Sequence, residues 1–392
     1  MPTPRGRYAA LIVAHVAGMI DLVALPVWVG TLMQHFQFDA QQAGTLVTLY
    51  LLFAVACCAF FAPRFDRLKG YVAAPVGFAV AALGFFALSR VSGFGAMAVA
   101  HALAGAGTGC GLSFAHGAIG RSGNPHRLFA TAHLALALFA VLFFGAAPQI
   151  IAHAGGSSLF VVFAALAGSA ALITALRFPR SFTDNRSAIP PRDTQSGVRR
   201  APLPPGCWTA IAGIVFMAVN QALVFSFVER IGIAHGFGSD KVNGVLIAVG
   251  LVNLLPPVLA ALLQKRLDAR NVAIAGPIAQ AILALMISRS TDFAPFAVAT
   301  SLWVFAMIFT HTFLFGLLAR IDRSGRAVAA TPAMLMAGSA VGPILGGVLI
   351  VHFGFGVIGI AATIVSALSL IFLGRLRGIP LLPVTLDLQQ TP

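Results

Sequence analysis

Asp21 lies near the middle of an apolar run covering residues 8–33, and of the eleven acidic residues in the chain it is the only one so placed. A carboxylate at that depth in hydrocarbon is costly and has to face a partner or a water-filled space. A group that takes up and releases a proton suits such a position. His101 lies about seven residues into another apolar run, with Gly105, Thr108 and Leu112 on its helical face. Histidine is a proton-exchanging side chain, so Asp21 and His101 are the expected proton-coupling pair. Asn220-Gln221 sits midway along a third run, and amides at that depth bond a solute or a neighbouring helix. Asn253 precedes Pro256-Pro257, whose missing N–H groups free carbonyls about one turn earlier. Such broken helices are tolerated where they line a cavity or are enclosed by protein. Trp28, Asn220, Gln221, Asn253, Trp303 and His311 are the expected lining of a solute cavity, with Thr310 beside His311.

The other chemistry-bearing patterns are weaker. Gly105, Gly107, Gly109 and Gly111 suggest a phosphate loop, but no strand precedes them and no Lys-Ser/Thr follows. Overlapping small-x-x-x-small pairs explain them as close helix packing, as they do Gly338, Gly342 and Gly346. The chain has one glutamate, Glu229, so a zinc-protease H-E-x-x-H pattern is absent. With Arg230 it reads as an ion pair or gate contact at a span end. Cys57, Cys58, Cys110 and Cys207 form no C-x-x-C pair and read as buried small side chains. His15, His116 and His133 read as packing or boundary residues, and without an H-x-x-x-H pair no metal is expected. No cofactor and no enzymatic activity are expected.

These residues must be positioned by membrane helices. Hydrophobic residues make up 59% of the 392 and charged residues 9%, against about a quarter charged in soluble proteins. Mean hydropathy is +0.92. That excludes a soluble enzyme, a disordered chain and a disulfide scaffold. Apolar runs fall at about 8–33, 42–62, 71–90, 94–119, 126–151, 157–178, 207–228, 241–263, 271–289, 293–319, 327–351 and 354–374. Each is long enough to cross a bilayer as a helix. The first is longer than a signal-peptide core and is read as a retained span.

The net charge of +14 does not point to nucleic acid, because the basic residues come in short bursts between the spans. With both termini cytoplasmic, 21 of the 25 Lys and Arg fall on the cytoplasmic side and Arg90, Arg230, Lys241 and Arg289 outside. That is the positive-inside bias. The polar, proline-rich stretch 179–206 then reads as a cytoplasmic linker. It divides the chain into a six-span unit at 1–178 and another at 207–392 that ends in a short cytoplasmic tail.

The two units echo each other. Asp66-Arg67-Leu68-Lys69 follows span two and Lys265-Arg266-Leu267-Asp268 follows span eight, an offset of 265 − 66 = 199. Arg121-Ser122-Gly123 and Arg323-Ser324-Gly325 follow spans four and ten, at 323 − 121 = 202. A duplicated six-span unit is a transporter architecture. Over essentially its full length the chain resembles the major facilitator superfamily. That family carries G-x-x-x-D-R-x-G-R after span two; here Asp66-Arg67 stands in Ala62-Pro63-Arg64-Phe65-Asp66-Arg67-Leu68-Lys69-Gly70, with the glycines displaced. The resemblance implies gating loops at Asp66 and Arg67, echoed by Lys265 and Arg266. It places His101 where the family often has an arginine in span four. The antiporter-associated G-x-x-x-G-P-x-x-G-G pattern stands in span eleven, as Gly338, Gly342, Pro343, Gly346 and Gly347, not in span five.

The expected protein is an all-α membrane transporter with twelve helices in two pseudo-symmetric bundles. It moves a small organic solute with protons across a bacterial-type inner membrane, as a monomer whose other partner is the lipid. Lipid, amphiphile or drug efflux is the alternative, and a non-transporting sensor a third reading. Reporter fusions at residue 195 and at the C-terminus are both expected to report cytoplasm; a periplasmic signal from either overturns the topology.

Overall fold

The structure is a computed structural model that describes residues 4–65, 67–179, 203–322, 327 and 331–378. Asp66 and most of the linker stretch 179–206 lie outside the described residues. Among the described residues fifteen α-helices follow in chain order: α1 Pro4–Gly18, α2 Asp21–Gln34, α3 Ala40–Phe61, α4 Gly70–Leu88, α5 Phe94–Gly120, α6 Pro125–Ala154, α7 Ser157–Arg177, α8 Pro205–Phe225, α9 Val228–Ala234, α10 Ser239–Val252, α11 Leu255–Leu263, α12 Ala269–Arg289, α13 Phe293–Ile321, α14 Thr331–Phe353 and α15 Val357–Gly374. They make twelve candidate membrane spans. Spans one, seven and eight are each built from two helices, α1–α2, α8–α9 and α10–α11.

The spans group as two sets of six. In the first, α4 packs on α5 and α7, α3 on α5, and α1 on α5, α6 and α7. In the second, α12 packs on α13 and α15, and α8 on α14 and α15. Short loops with capped helices link them. Asp39 begins α3 with a reciprocal capping box to Gln42, and Asp268 begins α12 by accepting from Arg270 and Asn271 N–H. Positive φ occurs at Gln37 and Gly236, 199 residues apart, and at Gly155 and Gly354, again 199 apart. The backbone therefore turns the same way at matching loops of the two halves, with the offset seen in the loop tetrads.

Because the twelve spans alternate in direction, Pro4, Arg177, Pro205 and Gly374 lie on one face, the linker face. The halves meet away from it. Near the far face α3 and α14 are in backbone contact: a Cβ on Gly44 would fall on the Pro343 carbonyl, and one on Gly347 on the Ala40 carbonyl. Between those points Thr48 reaches into α14. Its hydroxyl donates to Ala340 O at 2.8 Å and accepts from Ile344 N–H at 3.2 Å. Those two backbone groups pair with each other in an uninterrupted α-helix. Pro343 has already removed one N–H from the same turn. A second pair of spans between the halves is α6–α10, where Gly250 faces Val141.

Gly44→Val puts a branched side chain into this backbone contact. The expected result is a loss of about 1–3 kcal/mol, read as a lower unfolding temperature in detergent, and loss of transport with the protein still inserted. Wild-type transport would show that spans two and eleven do not need this approach.

Candidate functional site

Asp21 stands where span one is interrupted. Past Gly18 the ladder shortens: Leu22 N–H bonds Met19 O at 3.2 Å and Val23 N–H bonds Ile20 O at 3.1 Å, three residues back rather than four. The Asp21 carboxyl lies against the N–H groups of Asp21 itself and Leu22, at the N-terminus of α2. This is a half-helix N-terminus within a span, the arrangement that holds anionic groups in transporters. The carboxyl is buried, with one oxygen lacking a hydrogen-bond partner. Its neighbours include Tyr50 of α3, which lies beside Thr108 of α5, and Cys58 of α3. Leu112 of α5 closes on Gly18. Asp21 is therefore enclosed by spans one, two and four in this state.

His101 and Trp28 come together, but as a closed pair. His101 Nδ1–H donates to Met97 O at 2.7 Å, which leaves Nε2 to accept from Trp28 Nε1–H at 3.2 Å. Trp28 stacks on His101 and meets Tyr50, Phe85, Phe160 and Phe163 at ring distances of 4.9–6.4 Å. Both residues are fully buried. Trp28 is part of an aromatic core that joins spans one, two, three, four and six, and no face of it lines an open cavity here. Every ring nitrogen of His101 is used in holding it.

At the depth where the first half carries Asp21, the second carries amides. Asn220 Nδ2 donates to Ser366 at 2.7 Å, while its Oδ1 is buried without a partner. Gln221 Oε1 is likewise unpartnered, and its backbone carbonyl accepts from Trp303 Nε1–H at 3.4 Å. Gln280 donates to Met217 O at 3.4 Å and leaves its own Oε1 unpaired. Asn253 sits at the interruption between α10 and α11, where the two prolines predict it, with Oδ1 buried and unpaired. His311 is buried, stacked on Phe315, with Nε2 unpaired. Gln280 was missed at the level of sequence because a lone glutamine in an apolar run carries no pattern.

Glu229 was placed at a span end by sequence, and it is a contact between the halves. Span seven is interrupted at Ser226-Phe227, and Glu229 lies in the first turn of α9. Its carboxyl packs directly on Gly30 of α2, where any Cβ would collide with it, and its Oε2 has no hydrogen-bond partner. The expected gating residues Arg67, Lys265 and Arg266 are exposed at the linker face. Beside Arg67, Phe65 stacks on Phe114 and Arg121 lies over the Phe65 ring at 4.4 Å.

The family description "Major Facilitator Superfamily" matches residues 10–321. Among solved structures, the crystal structure of nucleoside transporter NupG is similar at a TM-score of 0.69 and 13% identity, covering 96% of this chain and 98% of that one. A crystal structure of a point mutant of NupG gives 0.70 and 11%, covering 95% and 99%. At these identities the likeness is one of fold. No curated protein matches the sequence.

His101→Leu removes the acceptor for the Trp28 indole. The expected cost is about 1–3 kcal/mol for a buried donor left unpaired, seen as a lower unfolding temperature and a changed tryptophan emission. An unchanged unfolding temperature would show that the pair does not hold the aromatic core.

Proposed function

The chain belongs to the major facilitator superfamily, and we propose that it is a proton-coupled secondary transporter of a small organic solute working by alternating access, with Asp21 as its proton-carrying carboxylate. The observation that carries this is the position of Asp21: a buried carboxyl at an interruption of span one, with an oxygen left unpaired. A structural aspartate has its lone pairs filled; one that changes protonation during a cycle has to be left a free oxygen to receive the proton. His101 supports the reading indirectly, as the acceptor that fixes Trp28 one and a half to two turns from Asp21.

The second half supplies the solute side. Asn220, Gln221 and Gln280 each present an unsatisfied carbonyl oxygen inside the membrane. Such acceptors favour an uncharged solute rich in N–H and O–H groups, and Trp303 holds Gln221's backbone in place. Nucleosides have that chemistry and are the first solutes to assay. In this reading both termini are cytoplasmic in a bacterial-type inner membrane, Arg67, Lys265 and Arg266 act at the cytoplasmic gate together with Asp66, and the far-face contact of Glu229 on Gly30 is the opposite gate, shut in this state. His311 and Asn253 belong to the inner part of the solute path. The chain works as a monomer of two bundles, 1–178 and 207–392, joined by the linker 179–206.

One observation favours the amphiphile reading. An apolar cleft of about 300 Å³ opens between α3 and α14, lined by Thr48, Leu52, Val55, Ala337, Ala340, Val341 and Ile344. Leu52 and Val341 are about half exposed, on the membrane side. In that reading the cleft is the place a lipid-like substrate would enter, because its lining is almost wholly apolar and faces the membrane side.

Asp21→Asn keeps the size and cannot release a proton. Gradient-driven accumulation in proteoliposomes is expected to fall to the passive level, with the protein folded and exchange of solute across an equal-pH membrane retained. Proton-driven accumulation at the wild-type rate in Asp21→Asn sinks the assignment.

A further inference from the structure

Gly30 and Glu229 hold the same place in the two repeats, because at the 199-residue offset of the matching loops 30 + 199 = 229. Halves related by an axis along the membrane normal bring equivalent positions together only near that axis. The contact of Glu229 on Gly30 therefore marks the axis, and with it the line on which a path between the bundles has to be shut. It lies near the far face. Gly30 is four residues before the end of α2 at Gln34, and Glu229 is five before the end of α9 at Ala234. Each is about 6–8 Å of helical rise from its span end.

The fit is close and lopsided. One half supplies no side chain, and the carboxyl of the other fills the space. A Cβ on Gly30 would stand 2.6 Å from Glu229 Oε2 and 2.8 Å from its carboxyl carbon and its Oε1. The surroundings are apolar: Val27, Val29 and Leu32 of α2 and Val228 and Ile231 of α9 are buried in one core. The Thr31 hydroxyl, next to Gly30, is committed to Val27 O at 2.7 Å. Glu229 is partly exposed as a residue, but its Oε2 is buried and accepts no hydrogen bond. A carboxylate withdrawn from water needs partners for its lone pairs, and burying it without them costs far more than burying the neutral acid.

The charged groups around this point come from four helices, since α9 packs on α2, α10 and α12. On α9, Arg230 is the charge that acts on Glu229, and His235 stands at the helix end. As the next residue, Arg230 leaves the helix about 100° away from Glu229, and its Nε is buried without a partner. The α10 helix brings Asp240 and Lys241, and Lys241 lies over the Phe293 ring at 5.5 Å. The α12 helix brings Arg289 at its far end and Arg270 at its linker end. On α2, Asp21 is nine residues before Gly30 and His35 follows the last turn.

We propose that Glu229 is a second proton-binding site, at which a proton from the far side locks the far gate: the carboxyl enters the contact with Gly30 only as the neutral acid. The proposal rests on the reading of this contact as the far gate. On opening, the carboxyl meets far-side water, gives its proton to that water and stands as a carboxylate beside Arg230. On closing, it takes one proton back from the same side. That proton is not carried across the membrane, and it is separate from the one assigned to Asp21. The sign follows from the two states. The ionised form belongs to the open gate, so acid on the far side favours the shut gate and alkali the open one. One linked proton changes the open-to-shut ratio by up to about tenfold per pH unit.

The test reads the gate directly in the full chain in lipid nanodiscs. Spin labels are placed on Gln34→Cys and Ala234→Cys, at exposed ends of α2 and α9, with the four native cysteines replaced by alanine. The distance distribution between the labels is recorded from about pH 5 to about pH 8, where an exposed glutamate is ionised. The open fraction is expected to rise with pH at close to tenfold in open-to-shut ratio per unit over part of that range. Glu229→Gln, which keeps the shape and stays neutral, is expected to hold the short distance with no dependence on pH. Glu229→Asp keeps the acid and is expected to keep the slope, as is Asp21→Asn, which removes the other buried carboxyl. A Glu229→Gln variant that opens with pH as the wild type does overturns the proposal, and so does an Asp21→Asn variant that has lost the slope. If the labels never separate in the wild type, at any pH or with solute, the reading of the contact as a gate fails and the proposal falls with it.

Discussion

Inside hydrocarbon a backbone N–H or C=O has no water to turn to, so wherever a span stops being regular helix the protein around it must enclose the break. Spans one, seven and eight are all interrupted, and much of the packing follows from that. Around the first interruption, Gly18 admits Leu112 of α5, and the aromatic core on Trp28 seals the turn and a half that follows. Around the second, α9 carries Glu229 onto Gly30. The enclosed polar groups are the ones that the proposed cycle uses. An interrupted span thus has two consequences at once: it positions a charge-bearing group at depth, and it obliges neighbouring spans to hold still around it.

The halves are held together by the opposite device, which is uninterrupted backbone contact. Glycines on α3 and α14 let carbonyl oxygens approach where a Cβ would collide. Small-residue seams of this kind hold by close backbone packing and need no polar partner. Thr48 is the exception within the seam, because its hydroxyl stands between Ala340 O and Ile344 N–H. When the seam opens, that backbone pair can close on itself, so the exchange costs α14 no net hydrogen bond. A contact that can be given up at little cost is suited to a joint between two bundles that rock.

The spans, the two-bundle architecture and the repeat were legible because each rests on a long or repeated signal. A run of about 20 apolar residues has few alternative readings, and the 199-residue offset of the loop tetrads recurs in the positive-φ positions of two further loop pairs. The interruption of span eight was legible from Pro256-Pro257. That of span one was not: Gly18-Met19-Ile20 is as apolar as its surroundings, and Pro26 lies further on. Trp28 was read as a cavity group and His101 as a proton-coupling group because depth in the membrane was visible and direction was not. Both point into the first bundle, where each satisfies the other. His15, His116 and His133 are up to 118 residues apart in sequence, by 133 − 15, and only the packing of α1, α5 and α6 brings them together around His15. A single-sequence reading had no means of telling three separate packing histidines from one cluster.

The repeat also shows where the halves have diverged. At the 199-residue offset Asp21 corresponds to Asn220, by 21 + 199 = 220. Both are buried, each with an oxygen left unpaired. A carboxyl and a carboxamide have nearly the same shape, but only the carboxyl exchanges a proton, while the amide is a fixed donor and acceptor at any pH. The second half adds Gln221 and Gln280 to its amide. At this matched position the duplicated frame presents a titratable group in one half and a permanent hydrogen-bonding group in the other. In the proposed cycle the two cargoes need not share a site. Their coupling runs through the seams between the bundles, because a rocking movement that changes access for one half changes it for the other.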